Sequence, residues 1–154
     1  MPYAFSVNSR SQASPGAVYA LLIQPGSWPS WSPLDAAEAE GGGDPGGPQQ
    51  AGDIRIFHLG RSAYQERITG LVPGQRFSYE SASGPFRSYR AVVELAEAPQ
   101  GGTDITWSAA FEPKLPFSGP FWRWYLTRYM QRMADGLARY ATQHPATGPA
   151  ETRV

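Results

Sequence analysis

The chain has 154 residues and no cysteine, and its 13 basic and 13 acidic side chains cancel to a formal net charge of zero. This length suffices for one domain with a sizeable core, and the missing cysteines exclude disulfides, thiolate metal sites and a cysteine nucleophile. A nucleic-acid footprint needs a basic stripe with matching net charge, so the neutral balance argues against nucleic acid as a partner.

The sequence also predicts the cellular location of the protein. No apolar run approaches the roughly 20 residues of a membrane span, and the N-terminus lacks the basic and apolar regions of a signal peptide. We therefore expect a cytoplasmic protein without stable membrane insertion. All but one of its basic residues are arginine, and Ala, Gly and Pro are abundant, a composition typical of GC-rich bacterial genomes.

The first 52 residues alternate short elements with turns. Residues 3–10 alternate as a strand does, and Ser14 followed by Pro15 is typical of a helix start. Residues 28–33 carry two tryptophans in a second helical turn or loop, and 34–40 can form a strand. Residues 41–52 are too rich in Gly and Pro for anything but a mobile loop.

Five strands follow in close succession. Turn-forming segments interrupt the runs of strand-forming residues at Gly60-Arg61, Pro73-Gly74, Gly84-Pro85 and 99–102. Of these, Pro73-Gly74 is typical of a type II turn. The predicted strands are 53–59, 62–72, 75–83, 86–97 and 103–112, joined as antiparallel hairpins.

One long amphipathic helix closes the chain, from Gly119 to about Gln143. Ser118 or Gly119 can cap it, and Pro145 ends it. At about 1.5 Å per residue it spans roughly 36 Å, enough to cross a small domain. Its apolar stripe, at three- and four-residue spacing, is Phe121, Trp122, Tyr125, Leu126, Tyr129, Met130, Met133, Leu137, Tyr140 and Ala141. Residues 143–154 are expected to form a disordered tail.

In this order the pieces resemble the START-like helix-grip (SRPBCC) superfamily, specifically its bacterial polyketide cyclase/dehydratase-like branch. The matching segments cover nearly the whole chain: 13–19, 28–31, 52–55, 66–68, 73–74, 102–107 and the closing helix. The resemblance implies one α+β domain over residues 1–142. A curved antiparallel sheet of six to seven strands would wrap around the long helix, with two short helices after the first strand. It also implies an internal cavity for an apolar small molecule, but no single activity.

The first hairpin predicts a charged pair. If Gly60 and Arg61 are its two turn residues, Arg55 lies opposite Glu66 on the face that carries Phe57, Tyr64 and Ile68. On the concave face the pair would be a polar anchor, with Arg55 donating to a ligand carbonyl or carboxylate. Alternatively, Arg55 and Glu66 form a structural cross-strand pair, on the outer face if the register slips by one residue.

Aromatic side chains from the later strands and the helix complete the predicted lining. We expect the ligand to contact Arg55, Phe57, Tyr64, Glu66, Ile68, Tyr79, Tyr89, Trp107, Phe111, Tyr125, Tyr129 and Met133, although plain core packing is an alternative for each ring. Trp28 and Trp31 either guard the cavity entrance or clamp the short helices onto the core. Trp124, on the polar side of the stripe, packs on its own linker or marks a membrane or partner contact.

Catalytic side chains are scarce. His58 is the single histidine within the predicted fold and alternates away from Arg55 and Phe57, so neither a zinc site nor a Ser-His-Asp triad is expected. No cofactor is predicted. The leading hypothesis is binding of a lipid-, polyketide- or aromatic-like molecule. The alternatives are a cyclase or dehydratase using acid–base chemistry at Glu66 or a tyrosine, and a protein-interaction module without ligand. The oligomeric state is left open.

Overall fold

The computed structural model describes residues 3–39, 48–81 and 84–144. The seven strands are β1 (Tyr3–Ser11), β2 (Ala36–Ala39), β3 (Ile54–Leu59), β4 (Ser62–Val72), β5 (Arg76–Ser81), β6 (Phe86–Glu97) and β7 (Thr103–Pro113). The helices are α1 (Pro15–Leu22), α2 (Trp28–Trp31) and α3 (Gly119–Gln143), with one 3-10 turn at Pro25–Ser27 between α1 and α2. The element order agrees with the prediction.

The strands form one antiparallel sheet in the order β1-β7-β6-β5-β4-β3-β2. Strands β3 to β7 follow one another as antiparallel hairpins. β1 pairs with β7 at one edge of the sheet, and β2 pairs with β3 at the other edge. The long helix α3 lies across the sheet and packs mainly against β1, with α1 and α2 also against it. This is the helix-grip architecture that the sequence predicted.

The predicted register of the central hairpins is confirmed. Arg55 pairs with Glu66 and Phe57 with Tyr64 across β3 and β4. Gly60 turns the chain with a positive φ of 60°, a backbone conformation that costs a glycine little. At the next turn Gly74 has a φ of 71° and the Gln75 N–H donates to the Val72 carbonyl at 2.9 Å, as a type II turn requires.

Two buried side-chain bonds fasten the ends of the fold together. The Ser11 hydroxyl donates to the Ala138 carbonyl of α3 at 2.8 Å, and the Thr103 hydroxyl donates to the Ala13 carbonyl at 2.7 Å. Ser11 and Thr103 also pair across β1 and β7. The C-terminal half of α3 is thus held against the sheet edge, where Leu137 and Ala141 are fully buried.

The helix termini carry one confirmed cap and one correction. Ser14 caps α1 as predicted, because its hydroxyl accepts the Ala17 N–H at 3.2 Å. Ser118 stands at the start of α3 but donates its hydroxyl to the Leu115 carbonyl at 2.6 Å instead of capping the helix. The predicted loop is described from residue 48 onward, and the predicted tail, apart from Gln143 and His144, lies outside the described residues.

Candidate ligand-binding cavity

A cavity of about 290 Å³ lies between the N-terminal half of α3 and strands β3 to β6. Side chains from four strands form one wall, successive turns of α3 form the other, and Trp28 and Leu34 complete the lining. The described lining residues are Trp28, Leu34, Phe57, Leu59, Tyr64, Glu66, Tyr79, Ser81, Pro85, Phe86, Tyr89, Phe121, Trp122, Tyr125, Leu126, Tyr129, Met130 and Met133.

Glu66 carries the one charged side chain among the described residues of this lining. Its Oε1 is buried and accepts no hydrogen bond within the described protein. The nearest cation is the Arg55 guanidinium, whose Nε lies 3.6 Å from Oε1, an ion-pair distance longer than a hydrogen bond. A buried carboxyl oxygen without a donor is costly. The Glu66 side chain as a whole keeps 15% of its surface exposed, and this accessible part is what a bound molecule in the cavity can reach.

Arg55 is completely buried and does not line the cavity. Its guanidinium carbon lies 4.5 Å from the ring centre of Trp28, 5.0 Å from that of Phe57 and 4.7 Å from that of Phe77. Nη1 donates to the Leu22 carbonyl at the end of α1, at 2.9 Å. Three ring faces, the Leu22 carbonyl and, at 3.5 Å from Nη1, the Gln49 side-chain oxygen therefore hold the cation. Cation–π attraction offsets part of its desolvation cost.

Burial changes the ionisation of both partners. Desolvation raises the pKa of Glu66 from 4.5 to about 7, although the Arg55 charge opposes this rise. Desolvation lowers the pKa of Arg55 to about 10, with Glu66 opposing the decrease. Arg55 therefore stays charged near neutral pH, whereas Glu66 exchanges its proton there and can both accept and donate a hydrogen bond.

Tyrosine hydroxyls share the same cavity wall. Tyr79 accepts a hydrogen bond from the Trp107 Nε1–H at 3.2 Å. Burial raises the pKa of Tyr89 far above its ordinary value and raises the pKa of Tyr129 to about 12, in each case mainly by desolvation. These tyrosines line the cavity and are neutral at physiological pH.

The structure brings eight of the twelve predicted ligand-contacting residues to the cavity: Phe57, Tyr64, Glu66, Tyr79, Tyr89, Tyr125, Tyr129 and Met133. The other four are Arg55, Ile68, Trp107 and Phe111, which are buried behind the cavity wall. The expectation that Arg55 donates to a ligand is corrected by its position, because its guanidinium is enclosed by rings and bonded to Leu22. Glu66 is the member of the pair that faces the cavity.

Trp28 and Trp31 do not stand at an entrance. Trp28 is only 1% exposed and Trp31 only 6%, and their rings lie 4.6 Å apart. Trp28 also meets Trp107 edge to face at 5.7 Å. The alternative interpretation fits: the two tryptophans clamp α2 onto the core, and Trp28 also lines the cavity.

Several lining residues were not predicted from the sequence, and at Phe86 the reason is local. Phe86 and Tyr89 both line the cavity although they are three residues apart on β6. A register shift between Phe86 and Ser88 changes which side chains face inward. Leu59 and Ser81 were predictable as lining residues, since each lies two residues beyond a predicted lining residue on the same strand and therefore on the same face.

His58 points away from the cavity, as predicted. It is partly exposed and its Nε2 lies 2.7 Å from a carboxylate oxygen of Glu38. Within residues 3–39, 48–81 and 84–144, no group of three or more His, Cys, Asp or Glu side chains is arranged to hold a metal ion. None of the described helices has the length and apolar character to cross a membrane.

Comparison with known proteins agrees with this architecture. A family model described as "Polyketide cyclase / dehydrase and lipid transport" matches residues 4–142. The crystal structure of Ara h 8.0201, a Bet v 1-type START-like fold, is similar with a TM-score of 0.70 and 17% sequence identity, over 93% of this chain and 99% of that chain. At that identity the likeness shows the fold alone. No curated protein matches the sequence. With nearly its whole length matched, the chain belongs to the polyketide cyclase/dehydrase and lipid transport family of the SRPBCC superfamily.

Proposed function

We propose that the protein binds an apolar small molecule, ring-containing or acyl, in the cavity between α3 and the sheet, with Glu66 as the polar anchor. One observation carries the proposal: a cavity of about 290 Å³ with mainly apolar walls is lined by one charged side chain, that of Glu66, which keeps 15% of its surface exposed. Apolar walls with a few placed polar groups are typical of small-molecule sites.

The volume and the polar groups limit the ligand. Ligand pockets commonly span roughly 300–1,000 Å³, so this cavity is at the small end and favours a compact ring system or short acyl chain over a large lipid. A ligand hydroxyl would bond the Glu66 carboxyl, and the Tyr89 hydroxyl would supply a donor for a carbonyl. We therefore expect an apolar body that carries one or two oxygen groups.

The test compares protein masses under native and denaturing conditions for freshly purified protein. We expect an additional small mass in the native spectrum that is lost on denaturation and that identifies the ligand class. Leu59→Trp fills part of the cavity and should abolish the extra mass. Leu71→Trp is the matched control, because Leu71 is partly buried but does not line the cavity.

Two outcomes would contradict the proposal. One is retention of the same small mass by Leu59→Trp with unchanged occupancy, which would place the ligand elsewhere. The other is failure of protein stripped of ligand to take up any member of a panel of naphthol, indole and decanol in the same spectra.

A second candidate function is an enzyme of the cyclase or dehydratase type. It is favoured by one observation, the rise of the Glu66 pKa to about 7 within an aromatic cavity, since general acid–base catalysis is most efficient near the working pH. Glu66 would take the proton next to a substrate carbonyl and return it to the β-hydroxyl, which leaves as water as the carbon–carbon double bond forms; Arg55 is too enclosed to contact the intermediate enolate. The test is elimination of water from an aromatic β-hydroxyketone, followed by mass spectrometry. Equal rates for the parent protein and Glu66→Gln would exclude the enzyme.

A protein-interaction module with a solid interior has less support, because a cavity is present.

A further inference from the structure

An unusual group of large apolar side chains is exposed around the start of α3. We call it the basic aromatic patch, and its members are Leu115, Phe117, Phe121, Trp124 and Tyr125. Phe117 is 99% exposed and Leu115 68%, and they project from the linker before the helix. Among exposed large hydrophobic side chains in the described part of the chain, Val72 alone lies outside this segment. The Phe121 ring centre lies 6.4 Å from that of Trp124 and 6.2 Å from that of Tyr125, and an exposed apolar cluster of this kind marks an interaction site.

The backbone holds Phe117 outward at a cost. It is the one non-glycine residue with positive φ in the described ranges, at 66°. A bulky side chain is disfavoured in that conformation, and such strain collects where function requires it. The Ser118 hydroxyl and N–H both donate to the Leu115 carbonyl, at 2.6 and 3.4 Å, which closes the linker into a turn. The turn presents Leu115 and Phe117 to solvent beside the helix.

The chain segment that carries the patch has charges of one sign. From residue 113 to residue 134 the sequence contains no acidic residue and four basic ones: Lys114, Arg123, Arg128 and Arg132. The Arg128 guanidinium lies 5.5 Å from the Trp124 ring centre, and Arg132 follows one helical turn later. A second copy of this chain would bring the same positive charges against them, so self-association through the patch is disfavoured electrostatically.

From these observations we propose that the basic aromatic patch docks the protein onto an anionic lipid bilayer. Trp and Tyr side chains favour the boundary between headgroups and acyl chains, and nearby Lys and Arg are attracted to anionic headgroups. The protein would lie on the membrane without spanning it. Phe121 and Tyr125 belong both to the patch and to the cavity lining, so docking turns the cavity mouth toward the lipid. The docking does not depend on what the cavity holds.

Vesicle co-sedimentation tests the proposal directly. The protein is mixed with vesicles of phosphatidylcholine alone or of phosphatidylcholine with phosphatidylglycerol, and the bound fraction is measured at low and high salt. We expect binding to the anionic vesicles, much weaker binding to phosphatidylcholine alone, and loss of binding as salt screens the charges.

Matched variants distinguish vesicle binding through the patch from nonspecific adsorption. Phe117→Ser and Trp124→Ser should each weaken binding by about tenfold, because each removes a large apolar side chain from the lipid contact. Arg128→Gln should weaken it roughly fivefold. Val72→Ser, which alters an exposed apolar side chain on β4, and Arg139→Gln, which removes an exposed charge further along α3, should bind as the parent does.

Several results would overturn the proposal. These are absence of binding to anionic vesicles at low salt, and parent-like binding by the Phe117→Ser/Trp124→Ser double variant with an unchanged melting temperature. A third is a concentration-dependent dimer that this double variant abolishes without any vesicle binding, which would assign the patch to self-association. Uptake of naphthol by the double variant without vesicles shows separately whether the cavity function survives.

Discussion

Glu66 and Arg55 face each other across β3 and β4, yet their side chains meet different surroundings. Arg55 reaches past the strand to the last turn of α1 and lies among three rings, whereas Glu66 stays at the cavity wall. The hairpin register that pairs them was predictable from the position of Gly60 and Arg61. Which of the two would face the ligand was not predictable, because it depends on where the Leu22 carbonyl lies in the fold.

The raised pKa of Glu66 predicts a pH dependence of stability. The folded protein, with a pKa of about 7, holds this proton more tightly than the unfolded chain, whose value is near 4.5. The resulting stabilisation is complete below about pH 4.5 and is lost as the pH rises through about 7. Glu66→Gln cannot ionise, so the difference in unfolding free energy between variant and parent should grow in favour of the variant across that range.

Urea unfolding at a series of pH values measures this difference. Glu94→Gln is the control, because Glu94 is an exposed strand glutamate, 3.8 Å from Arg76 at its carboxylate, and the change should leave the parent's slope in place. A Glu66→Gln variant with the same slope as the parent would show that Glu66 has an ordinary pKa in the folded protein.

Arg55 should contribute to folding rather than to ligand contact. Arg55→Ala leaves the Glu66 carboxyl without its ion-pair partner and opens a void between Trp28, Phe57 and Phe77. We expect a loss of about 3–5 kcal/mol in the free energy of unfolding, measured in urea. Arg87→Ala, at an exposed position on β6, should change it by no more than about 0.5 kcal/mol. A loss below about 1 kcal/mol for Arg55→Ala would refute this role.

At the scale of the elements, β4 and β5 show how a correct prediction can rest on two compensating irregularities. A two-residue turn at Pro73-Gly74 predicts that Ile68 pairs with Tyr79, and it does. The actual loop has three residues, since Val72 pairs with Arg76, and a bulge between Ile68 and Gly70 restores the register. The alternating burial of the strands fixes which side chains face inward, and a bulge is needed to keep that face. No turn motif in the sequence predicts the bulge.

Helix packing gives a test with opposite signs at two glycines. A Cβ on Gly136 of α3 would clash with the Trp31 carbonyl oxygen, whereas one on Gly16 of α1 would have its nearest neighbour, Ser14 Oγ, at 4.0 Å. Gly136→Ala should therefore destabilise the protein by about 1–3 kcal/mol, since overpacking outweighs helix propensity. Gly16→Ala should stabilise it by up to about 1 kcal/mol. Thermal unfolding of both variants decides; equal signs would contradict the close contact between α2 and α3.

At the scale of the whole molecule, the two halves of α3 have different roles: one packs against the rest of the fold and the other covers the cavity. Its C-terminal half is sealed against β1, α1 and α2, and Leu137 and Ala141 are fully buried. Its N-terminal half covers the cavity, and Phe121 and Tyr125 remain exposed at its mouth. The apolar stripe on the helix was readable from the sequence. The division into a sealed half and a covering half was not, because it follows from how closely the helix approaches each strand.

Two of the protein's three methionines, Met130 and Met133, line the cavity, and their methyl groups report directly on the central claim. The measurement is methyl NMR of protein labelled at methionine, stripped of ligand and titrated with naphthol, indole and decanol. The account predicts saturable shifts of the Met130 and Met133 signals with at least one compound, and their loss in Leu59→Trp. Signals that stay unshifted with all three compounds, or that shift equally in Leu59→Trp, would contradict a ligand-binding cavity under α3.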